Sequence, residues 1–133
     1  MNTLGLTQRL HSQDKWPLYN VAQNRSIETE AQAALPAYTL MQRAGLATAQ
    51  LALAIAPHAQ KIWIACGPGN NGGDGLEAAL HLQAWGKHPI VTWLGQDGRC
   101  PADAQQAWQR AKAADVVFTQ QIPEKFDLAI DAL

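Results

Sequence analysis

The segment that most constrains this chain is CGPGNNGGDG at residues 66–75. It follows a short apolar run at residues 62–65 and precedes a helical pattern at residues 76–85. A strand, a glycine-rich turn and a helix start in this order predict an anion-binding site, because free N–H groups and the positive end of the helix dipole point into the turn. Five glycines would let the backbone take positive φ and approach a ligand closely.

The spacing of apolar residues predicts alternating helices and strands along the chain. The predicted helices cover residues 21–35, 38–55, 76–85 and 102–114, and the predicted strands cover residues 61–66, 89–94, 116–118 and 128–130. This order predicts an α/β fold, a three-layer α/β/α, Rossmann-like arrangement around a mostly parallel sheet. We expect residues 1–18 to form a flexible arm and residues 19–133 to form one domain. Because the sequence stops just after Asp131 in a buried strand, we expect truncation at the C-terminus, so that this is the front part of a larger domain.

Composition excludes several classes of protein. Ten basic and eleven acidic residues give a net charge of −1, which predicts neither a nucleic-acid partner nor an anionic membrane surface. No apolar run reaches the ~20 residues that a membrane-spanning helix needs. Two cysteines make neither a disulfide framework nor a zinc-binding spacing, so we expect a reducing, cytoplasmic location.

Gly67, Gly69 and Gly72 match the dinucleotide pattern G-x-G-x-x-G between a predicted strand and helix. Two features disfavour an ordinary NAD-dependent dehydrogenase. Pro68 removes an N–H from the turn, and the second predicted strand ends without an acidic residue to bind a ribose. The segment is not a Walker phosphate loop either, because no lysine follows Gly72.

The longer string is more specific. GNNGGDG at residues 69–75, preceded by CGP, resembles the signature of the YjeF N-terminal domain family, the NAD(P)H-hydrate epimerases. LMQRAG at residues 40–45 resembles the family's LM-x-x-AG helix, and DLAIDAL at residues 127–133 resembles its DLIVDAL strand. The resemblance runs from about residue 19 to residue 133. The further glycine-rich FGTG turn that follows this strand in the family is absent from this sequence.

The resemblance implies a Rossmann-like fold and an isomerase that interconverts the R and S forms of hydrated NADH and NADPH. It implies that the nucleotide phosphate binds to Asn70, Asn71, Gly72, Gly73 and Asp74. It also implies a potassium ion held by Asn71 and Asp131, with Asp131 as the catalytic acid and base. The implied partner is a dehydratase, fused or separate, that repairs the S form.

The chemistry of a hydrated nicotinamide is consistent with this assignment. A hydroxyl on the carbon beside the ring nitrogen is a hemiaminal, which can lose that hydroxyl and take up water on the other face. One carboxylate can serve as proton donor and acceptor in turn. Asp131, at the carboxyl end of a predicted strand, would lie in the crevice where α/β proteins bind ligands.

Structural alternatives remain open for each residue of the predicted site. Asp74 could cap the following helix, and Asn70 and Asn71 could be left-handed turn residues. Asp131 could be a capping or solvent-facing residue. For the whole chain, the main alternative function is a non-catalytic nucleotide-binding or scaffold module of the same fold. The alanine-rich helix predicted at residues 38–55 could pair with a second copy to form a homodimer.

Overall fold

The computed structural model describes residues 11–96 and 99–133, and the chain divides into two compact units, Met1–Ala34 and Leu35–Leu133. The first unit contains helix α1 (Val21–Ala34), which has no buried residue. A reciprocal cap starts this helix: Asn20 N–H donates to Gln23 Oε1 and Gln23 N–H donates to Asn20 Oδ1, both at 2.9 Å. Such a capping box satisfies donors that would otherwise lack partners at the helix start.

The second unit alternates helices and strands as the sequence predicts. In chain order its elements are α2 (Thr39–Ile55), β1 (Lys61–Cys66), α3 (Asn70–Ala84), β2 (His88–Trp93), α4 (Ala102–Ala113), β3 (Val117–Thr119) and β4 (Leu128–Ala132). The strands form one sheet in the order β3-β2-β1-β4, and every neighbouring pair is parallel. The predicted α/β fold with a parallel sheet is therefore confirmed.

Helix α3 is the centre of this unit, because it packs against α2, α4 and the strands β1, β2 and β4. Ile62, Ile64 and Cys66 of β1 are fully buried and alternate with half-buried residues. On the opposite face of β1, Trp63 Nε1 donates to Thr92 Oγ1 at 3.0 Å, and the Trp63 ring lies 5.3 Å from the ring of Phe126. The connection from β3 to β4 therefore contacts the sheet face that these helices leave uncovered.

Two expectations about the glycine-rich segment are wrong. Helix α3 begins at Asn70, six residues before the predicted start, with Gly69 as its N-cap at φ −95°. Among the described residues, the only glycine with positive φ is Gly86, at +78°, which follows the C-cap residue of α3, Trp85. The glycines at 67–75 therefore do not provide left-handed backbone.

Close packing explains these glycines instead. A Cβ at Gly72 would lie 1.9 Å from the carbonyl oxygen of Gly67. A Cβ at Gly75 would lie 2.6 Å from Ala132 Cβ and 2.9 Å from Cys66 Sγ. Without side chains at these positions, the first turns of α3 can approach the ends of β1 and β4.

None of the helices in the described parts of the chain has the length and apolar character that a membrane span requires.

Candidate functional site

The candidate site lies where the carboxyl ends of β1 and β4 meet the start of α3. Ala65 of β1 pairs with Asp131 of β4, and Cys66 pairs with Ala132. Just beyond the pairing, Gly67 N–H donates to the carbonyl oxygen of Ala132 at 2.8 Å. The strand that carries Asp131 is therefore the direct neighbour of the strand that leads into the glycine-rich turn.

The start of α3 offers backbone donors to an anion. The first hydrogen bond of this helix runs from Gly73 N–H to Gly69 O at 3.2 Å, so helix geometry leaves the N–H groups of Asn70, Asn71 and Gly72 without intrahelical partners. The helix dipole adds partial positive charge at the same place. Gly73, whose N–H is engaged within the helix, is less suited to anion binding than the family resemblance implies.

Asn70 and Asn71 are the first two helical residues of α3, and both are exposed. Neither has positive φ, so the interpretation of them as left-handed turn residues is wrong. Asp74 lies half-buried within the second turn of α3, which excludes the interpretation of it as the residue that caps the start of this helix.

Asn71 and Asp131 both form hydrogen bonds with the backbone of Leu133. Asn71 Nδ2 donates to the carbonyl oxygen of Leu133 at 2.8 Å, and Leu133 N–H donates to Asp131 Oδ1 at 3.1 Å. Asp131 is exposed, and it alternates along β4 with Ala132, which packs against α3. The Asp131 side chain therefore projects from the sheet face opposite α3, and its carboxylate contacts the backbone N–H of Leu133.

The other aspartate of the DLAIDAL segment lies at the opposite end of the sheet. Asp127 Oδ2 accepts hydrogen bonds from the N–H groups of Gln60 at 2.8 Å and Lys61 at 2.9 Å. These backbone donors hold the pKa of Asp127 below its ordinary value. Asp127 thus joins the starts of β1 and β4, a role that the sequence analysis missed although its position just before a strand could have suggested it.

A buried carboxylate was also missed. Glu77 of α3 is 1% exposed, and it accepts a hydrogen bond from Tyr38 Oη and an ion-pair contact from Arg110 Nε. Burial, followed by the hydrogen bond to Glu77, raises the pKa of Tyr38, so the phenol stays protonated and acts as the donor. The available signal was a charged residue between Leu76 and a pair of alanines, within the apolar pattern of a helix.

Oxygen atoms are the ligands that this site offers to a cation. Nowhere in the described residues do three or more His, Cys, Asp or Glu side chains cluster as a metal site requires. The amide oxygen of Asn71 and the carboxylate of Asp131 are hard ligands of the kind that alkali and alkaline-earth cations prefer.

Comparison with known proteins identifies the family to which this chain is similar. A family model described as YjeF-related protein N-terminus matches residues 37–133. The NAD(P)H-hydrate epimerase of Bordetella pertussis is 42% identical over 95 residues, which cover 71% of this chain and 42% of that protein. The bifunctional NAD(P)H-hydrate repair enzyme Nnr of Coxiella burnetii is 36% identical over 120 residues, which cover 87% of this chain and 25% of that protein.

A solved structure shares the fold. The crystal structure of yeast ynu0 matches with a TM-score of 0.72 at 26% sequence identity, covering 83% of this chain and 53% of that chain. The chain spans less than half the length of the two bacterial relatives. Since the family model covers nearly all of the unit that carries the candidate site, the chain belongs to the family of YjeF-related protein N-termini.

Proposed function

We propose that this protein takes part in the epimerisation of hydrated NADH and NADPH, interconverting their R and S forms. The observation that carries the proposal is the attachment of Asn71 and Asp131 to the same residue, Leu133, beside the start of α3. Both side chains therefore hold the end of β4 beside a helix start that can bind an anion, which supports a role in a reaction on a phosphate-bearing nucleotide. The names of the relatives support the choice of substrate.

In this proposal the nucleotide phosphate binds to the N–H groups of Asn70, Asn71 and Gly72, because these are the amides that helix geometry leaves without partners. Gly72 contributes by close packing against Gly67, just after β1, and Gly73 contributes by close packing against α2 and α4. Asp74 lies one turn further along α3.

Asp131 then handles the protons at the hydrated ring. In its protonated form, it donates a proton to the hydroxyl on the carbon beside the ring nitrogen, and the C–O bond breaks to release water. The ring nitrogen supplies the electron pair that stabilises the resulting cation. When water adds to the opposite face, the Asp131 carboxylate accepts the proton that this water loses, which restores the starting protonation state.

A potassium ion fits the same residues. Its ligands would be the amide oxygen of Asn71 and the carboxylate of Asp131, which are hard oxygen donors. When bound, the ion would supply positive charge beside the nucleotide. The corresponding test is binding of the nucleotide in potassium and in sodium buffers at equal ionic strength.

The proposal is tested by following the separated R and S hydrates of NADH chromatographically with the parent protein, Asp131→Asn and Asp115→Asn. Asp115 is exposed and lies just before β3, at the end of the sheet opposite the candidate site. We expect Asp131→Asn to slow interconversion by roughly 10²–10⁴-fold, the usual contribution of one acid–base group, and Asp115→Asn to match the parent. Equal rates for the parent and Asp131→Asn would disprove the assigned role.

The alternative is a nucleotide-binding module without catalysis. The exposure of Asp131 favours it, because a carboxylate open to water is not the desolvated group that many acid–base catalysts use. Calorimetry separates the two functions: binding of NADH without interconversion of its hydrates would support the alternative. A dehydratase, separate or fused as the name of the Coxiella relative suggests, is the partner we propose for the catalytic function. The predicted cytoplasmic location and homodimer remain part of this proposal.

A further inference from the structure

Three helices meet at a buried carboxylate that the proposed reaction does not use. Glu77 of α3 accepts a hydrogen bond from Tyr38 Oη at 2.5 Å and lies 3.2 Å from Arg110 Nε of α4. The guanidinium of Arg110 also lies over the ring of Tyr38, 5.4 Å from its centroid. A carboxylate that is 1% exposed needs such partners, so the three side chains have one favourable arrangement.

The backbone around this carboxylate is equally constrained. Tyr38, which directly precedes α2, has φ of 70°, a left-handed conformation that is unfavourable for a residue with a bulky side chain. On α2 itself, a Cβ at Gly45 would lie 2.2 Å from Glu77 Cβ. The backbones of α2 and α3 therefore approach each other closely at Gly45 and Glu77. Tyr38 keeps a strained backbone conformation in which its hydroxyl reaches the Glu77 carboxylate.

The same three elements touch again one helical turn nearer the start of α3. A Cβ at Gly73 would lie 2.6 Å from Met41 Sδ of α2 and 3.0 Å from Ala104 Cα of α4. Gly73 precedes Glu77 by four residues on one face of α3, and Met41, which meets Gly73, precedes Gly45, which meets Glu77, by four residues on one face of α2. The contact at the carboxylate and the contact at Gly73 are consecutive layers of one three-helix interface.

We propose that Glu77, together with Tyr38 and Arg110, is a positioning residue that sets how the first turn of α3 presents its amides to a nucleotide. Through α2 and α4 it fixes the contacts on Gly73, whose N–H closes the first turn onto Gly69. The inference rests on the proposed function for the identity of the ligand. Its structural part, the coupling of the buried carboxylate to the first turn, is independent of that ligand.

The coupling is tested with Tyr38→Phe, which removes one hydroxyl and leaves the ion pair. The control is Ile62→Val, a small core truncation at the amino end of β1, far from the first turn of α3. In the ligand-free protein, we expect the ¹H and ¹⁵N amide chemical shifts of Gly72 and Gly73 to change in Tyr38→Phe and to remain unchanged in Ile62→Val. Unchanged glycine resonances in Tyr38→Phe would overturn the inference.

The consequence for binding is measured by calorimetry with NADPH at a temperature where both variants are fully folded. We expect Tyr38→Phe to weaken binding on the order of tenfold, because small displacements of binding groups are costly, and Ile62→Val to stay within about twofold of the parent. If affinity for NADPH falls in proportion to stability, and by the same proportion in Tyr38→Phe and Ile62→Val, the result would contradict a positioning role. If NADPH fails to bind the parent while the glycine resonances still move in Tyr38→Phe, the proposed function fails and the coupling stands.

Discussion

The glycines of the GNNGGDG segment differ in what they contact, and this yields a sharp prediction for Gly72→Ala. The new Cβ would lie 1.9 Å from the carbonyl oxygen of Gly67, so the two backbones would have to separate by about 1 Å. Gly67 has little room to retreat, because a Cβ built on it would already lie 2.9 Å from the backbone of Leu133. Overpacking against rigid neighbours costs about 1–3 kcal/mol, and a clash between two backbone segments belongs at the upper end.

We therefore expect Gly72→Ala to lower the free energy of unfolding by about 3 kcal/mol. With a urea m-value of about 1–3 kcal/mol/M, the midpoint of urea unfolding would fall by about 1–3 M, followed by circular dichroism. The matched control is Gly69→Ala, whose Cβ meets nothing within 4 Å and whose φ of −95° suits alanine. There the loss of a favourable N-cap and the reduced entropy of the unfolded chain offset each other to within about 0.5 kcal/mol. Equal midpoints for the two variants would refute the steric explanation.

Two further predictions concern single ionisable groups. Backbone donors lower the pKa of Asp127 in the folded state. The contribution of its carboxylate to folding stability is therefore fully present above pH 3.8, the ordinary pKa, and is lost as the pH falls further. Urea unfolding at pH 7 and pH 3 should therefore show a smaller acid-induced loss of stability for Asp127→Asn than for the parent, and equal losses would contradict this. Burial raises the pKa of the Cys66 thiol to about 12, so a Cys100→Ser protein should resist a thiol reagent at pH 8 until urea is added. Rapid labelling of that protein in the native state would contradict the burial.

The sequence was a good guide to the fold because its strongest patterns are local. The apolar run at 61–66 predicts β1 without error, and the other strands and helices of the second unit, α3 apart, lie within two residues of their predicted limits. The start of α3 was misplaced because glycine has poor helix propensity, so a segment containing Gly72, Gly73 and Gly75 suggests a loop. Tertiary packing outweighs that propensity here, since only residues without Cβ allow the helix to begin so close to the sheet edge.

The candidate site was predictable where residues adjacent in sequence share a motif, and less so where contacts join distant segments. The neighbouring positions of Asp131 and the turn after β1 follow from a parallel pairing that the sequence only suggests. Glu77 could not be assigned, because its partners Tyr38 and Arg110 lie 39 and 33 residues away along the chain. Only the packing of α2 and α4 against α3 brings these three side chains together.

The packing of the glycines also changes how the signature should be interpreted. If Gly72, Gly73 and Gly75 are fixed by steric contacts with Gly67, α2 and the strand ends, then the ligand-facing groups of this segment reduce to three amides and its polar side chains, including that of Asn71. Loss of activity in a glycine variant would then result from displacement of the start of α3. Loss of activity in an Asn71 variant would result from loss of a contact with the ligand. Because Asn71 and Asp131 both bond to Leu133, removal of the Asn71 amide should also loosen the placement of the carboxylate. The two residues are therefore expected to behave as one unit in double-variant experiments, with combined effects smaller than the sum of the single effects.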